Sequence, residues 1–483
     1  MSAYALDPRS ARRRYVTLCV LFWLPMGLAV TPLVLLFTER GMPLGSIAGF
    51  FVAHSLTAAA LELPTGGLSD VLGRRPVLVA AGVLNAAAFT LLGLGTAPWQ
   101  LTLGMALMGA GRALSSGPAE AWYVDTVQAH SGPGGDTGPH TGTGSDPRSG
   151  LRTGLARGST ATSAALAAGT LLGGALPWLL SRASGTGARL GAATSGAVLP
   201  LSVPALLAAL IEAGFALYAL GALREPPRPR STPREVFRGI PAAVSEGLRL
   251  GGRDALVRRV LLGAAAAGSA LATVELLTPG RAAAFTGTPE SGALLFSVLA
   301  CTGFVCSAAG SHLAPLTARL AGGGERAVRL GLGAGAFGVL LLGATSLSAS
   351  ASAGPLAMAL AAGGYGLVYF GLGAAGPNQN ELLHRRVARA GRATALSVQS
   401  LALQLTGALT GLVIGVLPEG PARWLPGGAA LVAGALVWLR RTGTGRLPAR
   451  TATAKATAEG AAKDPTAGSR SGTPPRAVRG SSR

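Results

Sequence analysis

Charge is scarce in this sequence, and acidic charge scarcest. Charged side chains make up 13% of the 483 residues, with 20 Asp and Glu against 41 Lys and Arg. Soluble domains hold about 25%, so composition excludes an ordinary water-soluble fold. Aromatic residues are also sparse at 5%, which removes the large rings that dominate many globular cores. Cysteine is limited to Cys19, Cys301 and Cys306, all inside apolar runs. They are odd in number and match neither a disulfide framework nor a thiolate metal spacing. The 5 histidines are scattered, and no G-x-S-x-G, HExxH or Walker loop occurs. An enzyme, a nucleotide-driven pump, a cofactor and a metal are therefore not expected.

What the chain has instead is apolar mass built from small residues. Apolar residues reach 49%, and 72 glycines accompany them, with a mean hydropathy of +0.45. That mixture suits helices packed backbone to backbone in lipid. Spans of roughly 17–25 mostly apolar residues cross a bilayer, and the sequence offers twelve: 15–37, 46–63, 77–95, 99–124, 158–180, 198–223, 260–278, 291–309, 328–347, 355–377, 393–417 and 424–439. The expected fold class is an all-α integral membrane protein with twelve transmembrane helices in two six-helix halves.

The basic excess tests this map, because Lys and Arg collect in cytoplasmic loops. With the N-terminus inside, 35 of the 41 basic residues fall on the cytoplasmic side. Only Arg40, Arg182, Arg189, Arg281 and Arg423 fall on the other, and Arg112 lies within a span. The charge thus reads as an orientation signal and nucleic-acid binding is not expected. A multi-pass protein of the inner cell membrane with both termini cytoplasmic follows. Residues 1–14 form the cytoplasmic N-terminus and 15–223 the first half. A Pro- and Arg-rich linker covers 224–259, with a short amphipathic helix at 236–250, and 260–441 form the second half. The insert 131–149 and the basic tail 442–483 have the composition of disordered segments.

Between the second and third spans the chain reads GGLSDVLGRRPVL at 66–78. Gly66 and Gly73 are expected to permit a tight reversal. Asp70 could accept hydrogen bonds from the start of the eleventh span near Ala393, and Arg74 could pair with Asp125. These residues, Gly66, Leu68, Asp70, Gly73, Arg74 and Arg75, resemble the G-x-L-[SA]-D-x-x-G-R-[RK] signature of the major facilitator superfamily. ELPT at 62–65 and the basic stretch 380–400 are similar to its drug-efflux-like proton antiporters. Gly169, Gly173 and Gly174 resemble an antiporter helix-packing motif with Thr170 in place of its proline. The second-half counterpart, 310–322, has Ala314 where the first half has Asp70. The resemblance implies alternating-access transport, with export of small drug-like or amphipathic molecules against protons. Uptake of a metabolite or sugar, or a sensor without flux, are the alternatives.

Ionisable residues within spans are functional candidates by default. Arg112 leads them. Glu120 lies two turns further along the expected fourth helix and could line the same cavity. Glu62 is placed near the inner end of its span, Glu275 near the outer end of its own, and Glu212 at mid-span. Each could carry a proton, or be held by an interhelical hydrogen bond or loop contact. His54, Asn85, Asn378, Gln379, Gln399 and Gln404 are polar positions for cavity lining or interhelical bonding, and Trp23, Trp122, Tyr365 and Tyr369 could stack on a ligand or simply pack. The expected partners are a small-molecule substrate, protons and the lipid bilayer, and the expected oligomeric state is a monomer.

Overall fold

The computed structural model describes residues 6–131, 147–183, 185–223, 254–347, 354–386 and 392–439. Most of the insert, the linker helix and the tail lie outside these residues. Among the described residues every regular element is helical and none is a strand. The first half contains α1 (Pro8–Val30), α2 (Leu33–Glu39), α3 (Leu44–Leu72), α4 (Arg74–Leu94), α5 (Pro98–Ser115), α6 (Pro118–Ser131), α7 (Pro147–Arg182), α8 (Thr186–Ala193) and α9 (Val203–Ala222). The second contains α10 (Ala255–Thr286), α11 (Pro289–Ala321), α12 (Gly324–Ala344), α13 (Pro355–Arg386), α14 (Arg392–Val416) and α15 (Leu425–Val437).

Ten stretches of the described chain are long and apolar enough to cross a membrane. The expected fourth and twelfth spans are the other two. The fourth is not one helix: it breaks at Ser116 and Gly117, where Gly117 takes a φ of +94° and Pro118 opens α6. The twelfth, α15, has 13 residues, about 20 Å of helix, and is preceded by a 3₁₀ turn over Pro421–Trp424. In the first span Pro25 is carried inside α1, whereas Thr31 and Pro32 separate α1 from α2. Several helices outrun the apolar windows. α7 starts inside the expected insert, α10 starts inside the expected linker, and α13 runs nine residues past Pro377. Polar helical ends carry no hydropathy signal, so windows drawn on apolarity stop short.

The helix pairings repeat. In the first half α1 packs on α7 and α9, α3 on α5, and α4 on α5 and α9. In the second half α10 packs on α14 and α15, α11 on α13, and α12 on α13 and α15. Moving each span six places along converts the first list into the second. Even the contacts between halves obey it, since α3 meets α14 and α7 meets α11. This is the internal symmetry of a parallel repeat, and α15 earns its place as the twelfth span by pairing as α9 does.

Glycine makes these approaches possible. A Cβ at Gly27 would collide with the α7 backbone at Leu166 and Thr170, and one at Gly169 or Gly173 with the α1 backbone at Leu24 or Leu28. Between halves, a Cβ at Gly415 would come within 2.7 Å of the Gly45 Cα, and one at Gly174 within 2.6 Å of the Ser297 Cβ. Here, at the end of the bundle opposite Gly73, the halves also share apolar packing. Leu276, Ala293 and Ile414 of the second half are buried in the same cluster as Leu33, Leu36 and Phe37. The second half keeps a separate core around Val339, Tyr365 and Leu431.

Arg40 closes the same end of the first half. Its guanidinium donates to the carbonyls of Gly93 (2.5 Å), Gly95 (2.6 Å), Leu92 (2.9 Å) and Ala197 (3.3 Å), and to Ser202 Oγ (3.2 Å). It thus holds the carbonyl-rich end of α4, where a helix dipole favours a cation. Burial pulls its pKa down, against the opposing charge of Glu39.

Candidate functional site

The polar centre of the molecule lies between the halves. Arg112, in the last turn of α5, is exposed to solvent-sized space, and its charge reaches both His54 of α3 and Glu275 of α10. Glu275 lies inside α10, within electrostatic reach of Arg112 across the boundary between the halves. This corrects the placement near a helix end that its sequence position implied. α10 continues through Pro279 to Thr286, which leaves Glu275 well inside the helix.

Glu275 also lies within electrostatic reach of Tyr365 and Tyr369 of α13. These two rings stack with centroids 4.9 Å apart, and the Tyr365 hydroxyl donates to the Tyr369 hydroxyl at 3.4 Å. Tyr369 forms one wall of a cavity of about 330 Å³ whose lining includes Leu271, Ser307, Ser311, Gly373 and Asn380, with no charged side chain. Ser311 Oγ donates to the Gly373 carbonyl (3.1 Å) and Gln399 Nε2 to Asn380 Oδ1 (3.3 Å), so α14 braces the cavity from behind.

Glu62 belongs to the boundary between halves. Its carboxyl accepts from Gln404 Nε2 at 3.0 Å and from Ser400 Oγ at 3.3 Å, both on α14. Glu120 is parted from Arg112 by the break at Ser116 and Gly117, so the two do not share a helix. It opens α6, and its charge acts on Tyr15 and Cys19 of α1. Glu212 is wholly buried and accepts from Asn85 Nδ2 at 3.3 Å, away from the cavity among α4 and α9.

At the motif end, Gly66 lies within α3 and takes no part in a turn. Gly73 alone makes the reversal, with φ +99°, a conformation a side chain would strain. Arg74 forms an ion pair with Asp125. Arg75 lines an apolar lateral cavity of about 650 Å³ with Pro76, Val79 and Leu220. The side chains of Gly66, Leu68 and Asp70 lie outside the described part of the structure. In the second half, Gly322 and Gly323 (φ +72° and +138°) make the equivalent turn, and the Ala314 carbonyl accepts from Asn378 Nδ2 at 3.3 Å.

Two ion pairs at this end are additions to the sequence reading. Asp254 accepts from Arg386 Nε at 2.6 Å, joining the start of α10 to the end of α13, and Arg259 lies 3.7 Å from Glu325. Asp254 also caps α10 through the Leu256 and Val257 amides. Burial pushes its pKa up, but Arg386 and the two amides more than offset this, so it lies below the usual carboxylate range. Asp254 and Arg259 both fall in the expected linker. An Asp immediately before an apolar helical run is the signal that marks the cap.

Twelve spans in two pseudo-symmetric halves, meeting through the second and eleventh and the fifth and eighth, constitute the major facilitator fold. Among solved structures, the nucleoside transporter NupG is similar over 89% of this chain and 98% of its own, with a TM-score of 0.62 and 13% identity. A bacterial homologue of the human lysosomal transporter Spinster, in an inward-facing and occupied conformation, covers 91% of this chain and 95% of its own (TM-score 0.61, 15% identity). The D-xylose–proton symporter covers 89% and 97% (TM-score 0.60, 16% identity). No protein-family model and no curated protein sequence matches the chain.

Proposed function

We propose that this chain is a secondary active transporter that binds a small molecule between its halves and couples its movement to protons by alternating access. The observation that carries this reading is that the charge of Arg112 in the first half acts on Glu275 in the second, across the boundary between the halves. An arginine at mid-membrane costs about 2.5–3.5 kcal/mol on insertion scales, and a facing carboxylate offsets part of that. Protonating Glu275 removes the attraction, so a proton biases how the two halves sit. That is the differential interaction a two-state carrier needs. Glu62 belongs to the moving boundary through Ser400 and Gln404. Glu120 faces the first-half wall, and the 66–75 segment with Asp125 holds the cytoplasmic end.

The adjoining cavity favours an uncharged, amphipathic cargo. Hydroxyls of Ser307 and Ser311, the Asn380 amide and the Tyr369 ring offer hydrogen bonds and a flat apolar face, and no lining side chain would neutralise a charge. Export is supported by the likeness of 62–78 and 380–400 to efflux-type antiporters. Uptake is a second reading, favoured by structural neighbours that include a nucleoside transporter and a sugar–proton symporter.

Everted membrane vesicles with an imposed pH gradient test both. Added substrate that dissipates the gradient from the cytoplasmic side indicates antiport. Proteoliposomes in which substrate and protons enter together indicate symport. Glu275→Gln abolishes proton movement in either case. Undiminished proton coupling in that variant, or no flux across a broad panel of neutral solutes, sinks the reading.

A further inference from the structure

One buried pair stands outside the cavity and is incompletely satisfied. Glu212 and Asn85, both 0% exposed, join α9 to α4 through a single hydrogen bond, Asn85 Nδ2 to Glu212 Oε1, at 3.3 Å. Two oxygens are left over, Glu212 Oε2 and Asn85 Oδ1, each buried without a partner. Both orphans are acceptors if the carboxyl is ionised, so they cannot satisfy one another. One proton on Oε2 changes that. It donates to Asn85 Oδ1, and the carboxylic acid and the amide close a ring of two reciprocal hydrogen bonds with nothing left unpaired.

The pair also touches the machinery of the proposed transporter. Asn85 Oδ1 is the atom that a Cβ at Gly111 would strike first, and that Cβ would also lie 3.2 Å from the Ala81 carbonyl oxygen. Gly111 immediately precedes Arg112. The amide is therefore packed against the α5 backbone at the residue that sets where the guanidinium begins.

We propose that Glu212 is a positioning residue held in its acid form, locked to Asn85 as an acid–amide pair that fixes α4 and α9 behind Gly111 and thereby places Arg112. It does not carry protons during transport. This rests on Arg112 belonging to the site, while the statement about the Glu212 proton stands independently of it.

The chemistry singles out one conservative variant. In Glu212→Gln the new amide donates to Asn85 Oδ1 and accepts from Asn85 Nδ2, reproducing both bonds without a titratable proton. Infrared spectra of the full-length protein in lipid should contain an acid C=O stretch that is lost in Glu212→Gln and unchanged between mildly acidic and mildly alkaline buffer. Glu212→Gln should melt and transport like the wild type, with the same pH profile. Glu212→Leu, which strands the Asn85 amide, should lower the melting temperature by on the order of a few degrees and raise the substrate KM. The double variant Asn85→Leu/Glu212→Leu should recover most of the stability. Absence of the acid band, or a pH profile displaced in Glu212→Gln, overturns the proposal by showing an ionised or proton-carrying group. The infrared and melting arms need no flux, so they decide the acid–amide pair even if no substrate is found.

Discussion

Replacing Arg40 by methionine keeps an unbranched apolar stem and removes every hydrogen bond its guanidinium makes. Three of those bonds, to Gly93, Gly95 and Leu92, are 2.5–2.9 Å long, and the other two, to Ala197 and Ser202, are 3.3 and 3.2 Å. A bond to a charged donor contributes about 1.5–3 kcal/mol when its loss strands a buried partner. The guanidinium is only part-buried, so water regains some of these carbonyls, and about 1 kcal/mol for each short bond is the appropriate scale. Favourable placement at the end of α4 adds about 0.3–1 kcal/mol. The sum is about 3–4 kcal/mol, a fall in melting temperature of roughly 6–16 °C at the 2–4 °C per kcal/mol of mid-sized domains. A thiol-reactive dye is a suitable reporter once the partly buried Cys301 and Cys306 are replaced by serine, because the remaining Cys19 is buried within α1. Arg40→Lys should fall between, since one ammonium cannot span both α4 and the segment before α9. A melting temperature for Arg40→Met within about 2 °C of wild type would show that the clasp carries no weight.

Two further outcomes follow from the polar contacts. The Asp254 carboxylate has a lowered pKa, so its contribution is fully present above the unfolded value of about 3.9 and disappears as pH falls through the folded value. Asp254→Asn should therefore destabilise by about 0.5–1 kcal/mol at neutral pH, given the exposure of Arg386, and not at all in strong acid; a melting difference that persists there refutes the linkage. At the boundary between halves, a double-mutant cycle on Glu62→Gln and Gln404→Leu should give a coupling of about 1 kcal/mol in thermal stability. Additive effects would mean the 3.0 Å contact does not hold the halves together.

The apolar windows locate the spans because lipid demands an unbroken hydrocarbon face, and that demand is written directly in composition. Their ends are less legible. α13 continues to Arg386 and α10 begins at Ala255 because helical hydrogen bonding continues into water, where apolarity no longer marks it. The break at Ser116 and Gly117 is visible as Ser-Gly-Pro, yet taking 99–124 as one helix puts Arg112 and Glu120 on a common rod. Glu275 is misplaced for a similar reason, since Pro279 and Gly280 suggest the end of a helix that in fact passes through both. Acids can be picked from the sequence, but their partners cannot. Ser400 and Gln404 lie more than 330 residues from Glu62, and Asn85 reaches Glu212 across 127. Such pairs follow from which helices are neighbours, and only the repeat symmetry supplies that.

The interruption of the fourth span leaves main-chain groups at depth. The last carbonyls of α5 and the first amides of α6 end their ladders inside the expected fourth span instead of at its ends. A molecule held there could be gripped by backbone alone, and no side-chain replacement would delete that grip. An alanine scan would then understate the contribution of residues 112–121, whereas substitutions that force Gly117 out of its positive φ would reveal it.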